Sequence, residues 1–119
     1  MGGAASRRKG NRAELDVANW LRANGWKAVT TRSTSGAQGG ADLVTDAPVM
    51  WEVKNHARLA LSEWVAQAVG NARPNRPGVV IHKKPGKTDP GEWYVTMRAC
   101  DLLDLLRSIG PVDDPNIDP

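Results

Sequence analysis

Cysteine is nearly absent: Cys100 stands alone among 119 residues. A single thiol builds no disulfide framework and no thiolate metal cluster, which fits a reducing, cytoplasmic setting and leaves Cys100 inert. Phenylalanine is missing and tyrosine occurs once, so Trp20, Trp26, Trp51, Trp64 and Trp93 are needed as core fillers before any stacking on bases. Neither of the two histidines, His56 and His82, has a second His or Cys at metal-ligand spacing. His82, in an apolar run, reads as a hydrogen-bonded core residue, and His56 as at most a weak phosphate contact. No apolar run approaches the roughly 18 residues of a membrane span, and no signal-peptide core opens the chain, so no membrane partner is expected. Internal repeats are absent. Gly86-Lys87-Thr88 imitates the end of a phosphate-binding loop, but Ile81 stands where that motif needs its first glycine.

The charge is uneven. Sixteen bases against thirteen acids give +3, yet Pro111 to Pro119 hold Asp113, Asp114 and Asp118 and no base. Residues 1–110 therefore carry all sixteen bases against ten acids, a net +6. A basic body suits a polyanion, nucleic acid above all, although many small soluble proteins are mildly basic without one. This length makes one domain. Residues 1–9, ending in Arg7-Arg8-Lys9, read as a flexible basic arm, residues 10–110 as the folded domain, and residues 111–119 as a disordered acidic tail.

Periodicity and punctuation place the elements. A helix is expected from about Asn11 to Asn24, stopped at Gly25, with Val17, Ala18 and Leu21 on its apolar face. Glu14 falls at the middle of that face, where a carboxylate needs Arg12, a turn amide or a metal as partner. Trp26 to Thr31 reads as a strand, and Arg32 to Gly40 as a Ser/Thr/Gly loop whose small residues let a backbone approach phosphate, with Arg32 able to pair with it. A helix from about Ser62 to Ala72, capped by Ser62, should bury Leu61, Val65, Ala68 and Val69 and set Gln67 and Asn71 near the preceding strand. Gly78 to Lys83 is a buried strand, Glu92 to Met97 another, and Ala99 to Ile109 a leucine-rich helix apolar on more than one face. That last helix has two uses open to it, covering the sheet or meeting another subunit.

Between these lies the stretch that organises the chain, residues 40–55. It reads as two strands around a tight turn, because Ala47-Pro48 cannot continue a central strand. With the turn centred on Ala47, Thr45 faces Val49, Leu43 faces Trp51, and Asp42 faces Glu52. Glu52 and Lys54 share a face of their strand. Two carboxylates at close range repel, more so when partly buried, and a divalent cation such as Mg²⁺, an oxygen-seeking ion, relieves that repulsion.

Asp42 followed by Glu52-Val53-Lys54 resembles the core motif of the PD-(D/E)xK nuclease superfamily, with Ala41 in place of the proline of its name. More closely, the chain resembles the archaeal-type Holliday junction resolvases within it. Their Lys-Gly-x-x-x-Glu opening reads here as Lys9-Gly10-Asn11-Arg12-Ala13-Glu14, and their Arg-Ser before a glycine-containing loop as Arg32-Ser33. The likeness covers roughly residues 8–97 and is more specific in the first half. The longer Gly/Gln run before Asp42 and the last helix depart from the pattern.

The resemblance implies an α/β, restriction-endonuclease-like fold with a central mixed β-sheet flanked by helices, in the order α-β-β-β-α-β-β-α. It implies a homodimer that cuts four-way DNA junctions symmetrically with Mg²⁺ or Mn²⁺. Asp42, Glu52 and the Val53 carbonyl would hold the metal, and Glu14 would hold a second one directly or through water. Lys54 would orient or deprotonate the attacking water, or stabilise the transition state. Arg7, Arg8, Lys9, Arg12, Arg32, Ser33 and Ser35 would contact phosphates. Two other functions stay open on the sequence: a restriction-, repair- or homing-type nuclease of the same fold, and a catalytically silent DNA-binding protein.

Overall fold

The computed structural model describes residues 2–31 and 42–117, the side chains of residues 2–6 excepted. Helix α1 (Gly2–Ala23) leads into β1 (Ala28–Thr30), β2 (Leu43–Thr45) and β3 (Met50–Lys54). Helix α2 (Leu61–Asn71), β4 (Gly78–His82), a short 3₁₀ turn (Pro90–Glu92), β5 (Tyr94–Thr96) and α3 (Ala99–Ile109) complete the described elements. The class is mixed α/β.

The sheet is divided rather than single. β1 and β2 form an antiparallel pair, and β3, β4 and β5 a mixed sheet in which β4 is central, parallel to β3 and antiparallel to β5. The expected ladder between β2 and β3 does not form. Its turn segment is drawn elsewhere: the Asp46 N–H donates to Lys27 O (3.2 Å), and the Ala47 N–H to Thr45 Oγ1 (3.0 Å). The Asp46 bond holds the end of β2 against β1, and among the described residues the backbone of the two segments around Pro48 is joined through Asp42, whose N–H donates to Trp51 O (3.0 Å).

Alternation along β3 and β4 sends successive side chains to opposite faces. Val53 and Ile81 join Ala13, Val17, Ala18 and Leu21 of α1, together with Leu43 and Trp93, in the larger core. Val80 joins Trp64 and Ala68 of α2 on the other face. The three-stranded sheet therefore lies between α1 and α2, and residues 52 and 54, in register with Val80 and His82, belong to the α2 side. His82 is buried, and its Nε2 lies 2.8 Å from Thr96 Oγ1. Burial lowers its pKa, as expected for a neutral core imidazole.

Four boundaries differ from expectation for local reasons. Helix α1 begins at Gly2, so residues 2–9 continue its turns; Ala4, Ala5, Arg7, Arg8 and Lys9 are strong helix formers, and the isolated Gly10 costs only about 1 kcal/mol against Ala. At its other end Gly25 (φ 94°) takes the left-handed position and the Trp26 N–H closes on Leu21 O (3.0 Å), which shortens β1. Helix α2 starts at Leu61 with Ala60 in the cap position and no side-chain cap, so Ser62 lies inside the first turn; Leu61 is drawn in by packing on the Trp64 cluster. Asp89 caps the 3₁₀ turn through the Gly91 N–H (2.9 Å) with Pro90 at the first helical position, and so delays β5 to Tyr94.

Gly78 marks where α2 and β4 touch. A Cβ there would fall 2.0 Å from the Ala68 carbonyl oxygen, so any other residue would push the helix off the sheet. Beyond Ile109, residues 110–117 form neither helix nor strand. Among the described residues no helix is long and apolar enough to cross a membrane.

Candidate active site

β3 spends its even-numbered backbone groups on β4 and its surroundings: the Met50 N–H donates to Pro77 O (2.9 Å), and the Lys83 N–H to Lys54 O (2.9 Å). The odd-numbered groups turn the other way and meet Asp42. The Asp42 N–H donates to Trp51 O (3.0 Å), and the Val53 N–H donates to Asp42 Oδ2 (2.7 Å). Asp42 thus straddles position 52 on β3, gripping it by backbone and side chain. Its own carbonyl accepts from the Thr31 N–H (3.1 Å) and from Thr31 Oγ1 (3.3 Å), which ties the site to the end of β1.

Glu52 is 2% exposed. Its Oε1 accepts from Asn71 Nδ2 (2.8 Å), and its Oε2 lies 3.8 Å from Lys54 Nζ. Lys54 in turn donates to Gln67 Oε1 (2.7 Å). Gln67 and Asn71 stand four residues apart on α2 and so share a face, holding the charged ends of Glu52 and Lys54.

The electrostatics are those of a site short of positive charge. Burial raises the Glu52 pKa from 4.5 to about 7, and the carboxylates of Asp42 and Glu14 push it the same way, against the opposing pull of Lys54 and of the Asn71 amide. Glu14 is buried at 6% exposure in the apolar stripe of α1, and its charge reaches Glu52 through space. Among the described residues no three His, Cys, Asp or Glu side chains are grouped as a metal cage; of the carboxylates, Asp42 acts most strongly on Glu52 and forms a pair with it. The donor chemistry of that pair suits an oxygen-seeking dication, which would favour the ionised form that burial and the neighbouring acids oppose.

Set beside protein-family models, curated proteins and solved structures, the chain matches none. The site therefore has to be read from its own residues.

Asp42, Glu52, Val53 and Lys54 come together, and the charge of Glu14 is felt at Glu52. The basic candidates are placed differently. Arg7, Arg8 and Lys9 are exposed on the early turns of α1. Arg12 is exposed too, but is engaged with Asp16 at 2.9 Å, so it is not the partner of Glu14 that the sequence offered. Arg32, Ser33 and Ser35 lie outside the described residues. Thr31, the anchor of the Asp42 carbonyl, escaped the sequence reading; only its place at the end of a β-branched run hinted at it. His56 is exposed and packs its ring on Trp64 at 5.6 Å.

Proposed function

We propose that this chain is a metal-dependent DNA endonuclease that hydrolyses phosphodiester bonds, acting as a homodimer on four-way junctions. The observation that carries the reading is the convergence of Asp42, Glu52 and Lys54 on β3, with burial and the neighbouring carboxylates raising the Glu52 pKa. Stability alone gives no reason to bury a carboxylate beside two others. The parallel β3–α2–β4 unit, with α1 across the opposite face, is compatible with a restriction-endonuclease-like fold.

Asp42, Glu52 and the Val53 carbonyl are the groups that would hold Mg²⁺ or Mn²⁺, with Glu14 behind them for a second ion or its water. When bound, the ion supplies polarisation of the phosphoryl oxygen and neutralises charge developing on it. The chain's own residues prepare that step. The Val53 N–H fixes the Asp42 carboxylate, Asn71 fixes Glu52, and Gln67 aims the Lys54 ammonium. Lys54 would orient or deprotonate the attacking water, or stabilise the negative charge of the transition state.

Phosphates flanking the cut would lie on Arg7, Arg8, Lys9 and the segment holding Arg32, Ser33 and Ser35, while Arg12 would first have to leave Asp16. For the second protomer, α3 offers Leu102, Leu103, Leu106 and Ile109, all exposed. A cytoplasmic site of action follows from the DNA substrate and the single thiol.

The test is a gel comparison of a four-way junction, a flap, splayed arms and linear duplex, each with the full chain and Mg²⁺. The junction should be cut in symmetric pairs and at least about tenfold faster than linear duplex, a preference worth about 1.4 kcal/mol. Equal cutting of all four would point to a restriction- or repair-type nuclease, and no Mg²⁺-dependent cutting of any would overturn the proposal.

A further inference from the structure

A cleft of about 760 Å³ opens between the segment joining α2 to β4 and the flank of α3. Four arginines line it, Arg73, Arg76, Arg98 and Arg107, against two acids, Asp101 and Asp104. The acids are taken up within α3 and its cap. Arg98 grips Asp101 with two hydrogen bonds of 2.9 and 3.2 Å, and Arg107 Nη1 lies 2.8 Å from Asp104. That leaves two charges uncompensated. Among the described residues Arg76 donates to the neutral Thr45 carbonyl (3.1 Å) and to no carboxylate. The exposed Arg73 makes no side-chain hydrogen bond or ion pair with any described residue.

The segment presenting these two arginines is rigid. Arg73 and Arg76 exchange backbone hydrogen bonds of 3.1 and 2.9 Å. Pro74 at the second position and Asn75 with φ 66° at the third make a type II turn, and Pro77 follows it. Two like charges held on either side of a tight turn repel. Guanidinium groups carried by a fixed turn beside an open cleft, with no carboxylate partner among the described residues, match the oxygens of a phosphate, which arginine recognises in pairs of hydrogen bonds.

Position selects the source of that phosphate. Asn71, the last residue of α2, holds Glu52 at 2.8 Å, and Arg73 is two residues further on, so the arginine turn follows directly in the chain on the residue that holds Glu52. A DNA strand carries one charge for about every 3.4 Å of helix axis, so the phosphates that continue the strand beyond one at Glu52 are the natural occupants of this turn. Resting on the reading of the chain as a DNA endonuclease, we infer that the Arg73–Arg76 turn and its cleft are a second DNA contact, clamping the strand's phosphates beside the scissile one.

The experiment is fluorescence anisotropy of the full chain with a labelled four-way junction and a labelled duplex. It is run in EDTA so that nothing is cleaved, between 50 and 300 mM NaCl. Each phosphate contact contributes about 0.9 to the slope of log K against log salt. Arg73→Ala should reduce the slope by about 1, and Arg73→Ala/Arg76→Ala by about 2, whereas Arg73→Lys should keep it near the wild-type value. Because the Arg73 side chain makes no hydrogen bond or ion pair with any described residue, its replacement should leave the fold intact, which a thermal melt checks. A wild-type slope shared by both alanine variants overturns the clamp while leaving the endonuclease reading in place. Failure of the wild-type chain to bind either DNA overturns both.

Discussion

Asp42→Ala and Lys54→Ala are each expected to lower Mg²⁺-dependent nicking of supercoiled plasmid by roughly 10²–10³-fold, the range seen when one preorganised charged or polar group is removed from a transition state. The two losses have different origins. Asp42 holds β3 through the Val53 N–H and supplies one of the two carboxylates, so its removal weakens both the charge of the pocket and its geometry. The loss should be partly offset by raising the metal concentration. Lys54 touches Glu52 and Gln67, and its removal takes away a cation without removing a metal ligand. More metal should not rescue it. Undiminished nicking by both variants would refute the chemistry.

Glu52→Gln should abolish nicking to a similar degree and, at the same time, make the protein more stable above neutral pH. An acid whose folded pKa lies above its unfolded value contributes fully to stability only below the unfolded pKa. As pH rises from 4.5 the unfolded chain loses the proton that the folded chain keeps, and the cost is complete above about 7. That gap corresponds to about 3 kcal/mol at pH 8, against almost nothing at pH 4. Glutamine keeps an acceptor for Asn71 and carries no charge to repel Asp42 or Glu14. The difference in unfolding free energy between Glu52→Gln and wild type, followed by denaturant titration from pH 4 to 8.5, should rise across that window. Taking the difference matters, because buried His82 acts in the opposite sense: its lowered pKa costs stability as pH falls below 6.5. A flat difference would place the Glu52 carboxyl in a far less hostile environment.

The Glu52–Lys54 pair was legible because it rests on short-range rules. Glu52 and Lys54 two residues apart in a β-branched run must share a face, and they do, over α2. Gln67 and Asn71, four apart on a helix, were legible as a polar face and prove to be what holds that pair. The misread parts depend on contacts between segments distant in sequence. Pro48 after a short strand reads as a hairpin turn, but the Lys27 carbonyl takes the Asp46 amide and pairs β2 with β1 instead. Separately, residues 1–9 read as a flexible basic arm because of their Gly/Ala/Ser run and basic end, whereas residues 2–9 take up helical turns of α1, which their alanines and basic residues favour. The arginine cleft had no local signature at all: Arg-Pro-Asn-Arg-Pro announces a turn, but not that α3 returns beside it.

Around Asp42 and Glu52 the charge of Lys54 does not offset burial and the neighbouring acids, and the proposed dication would. Isothermal titration calorimetry of Mn²⁺ into the full chain at pH 8, where Glu52 is ionised, examines this without DNA or turnover. Wild type should bind with measurable heat, and proton release should increase as the pH is lowered toward 7, while Glu52→Gln and Asp42→Asn should each bind at least about tenfold more weakly. Equal Mn²⁺ binding by wild type and both variants, or none by wild type, would contradict the account.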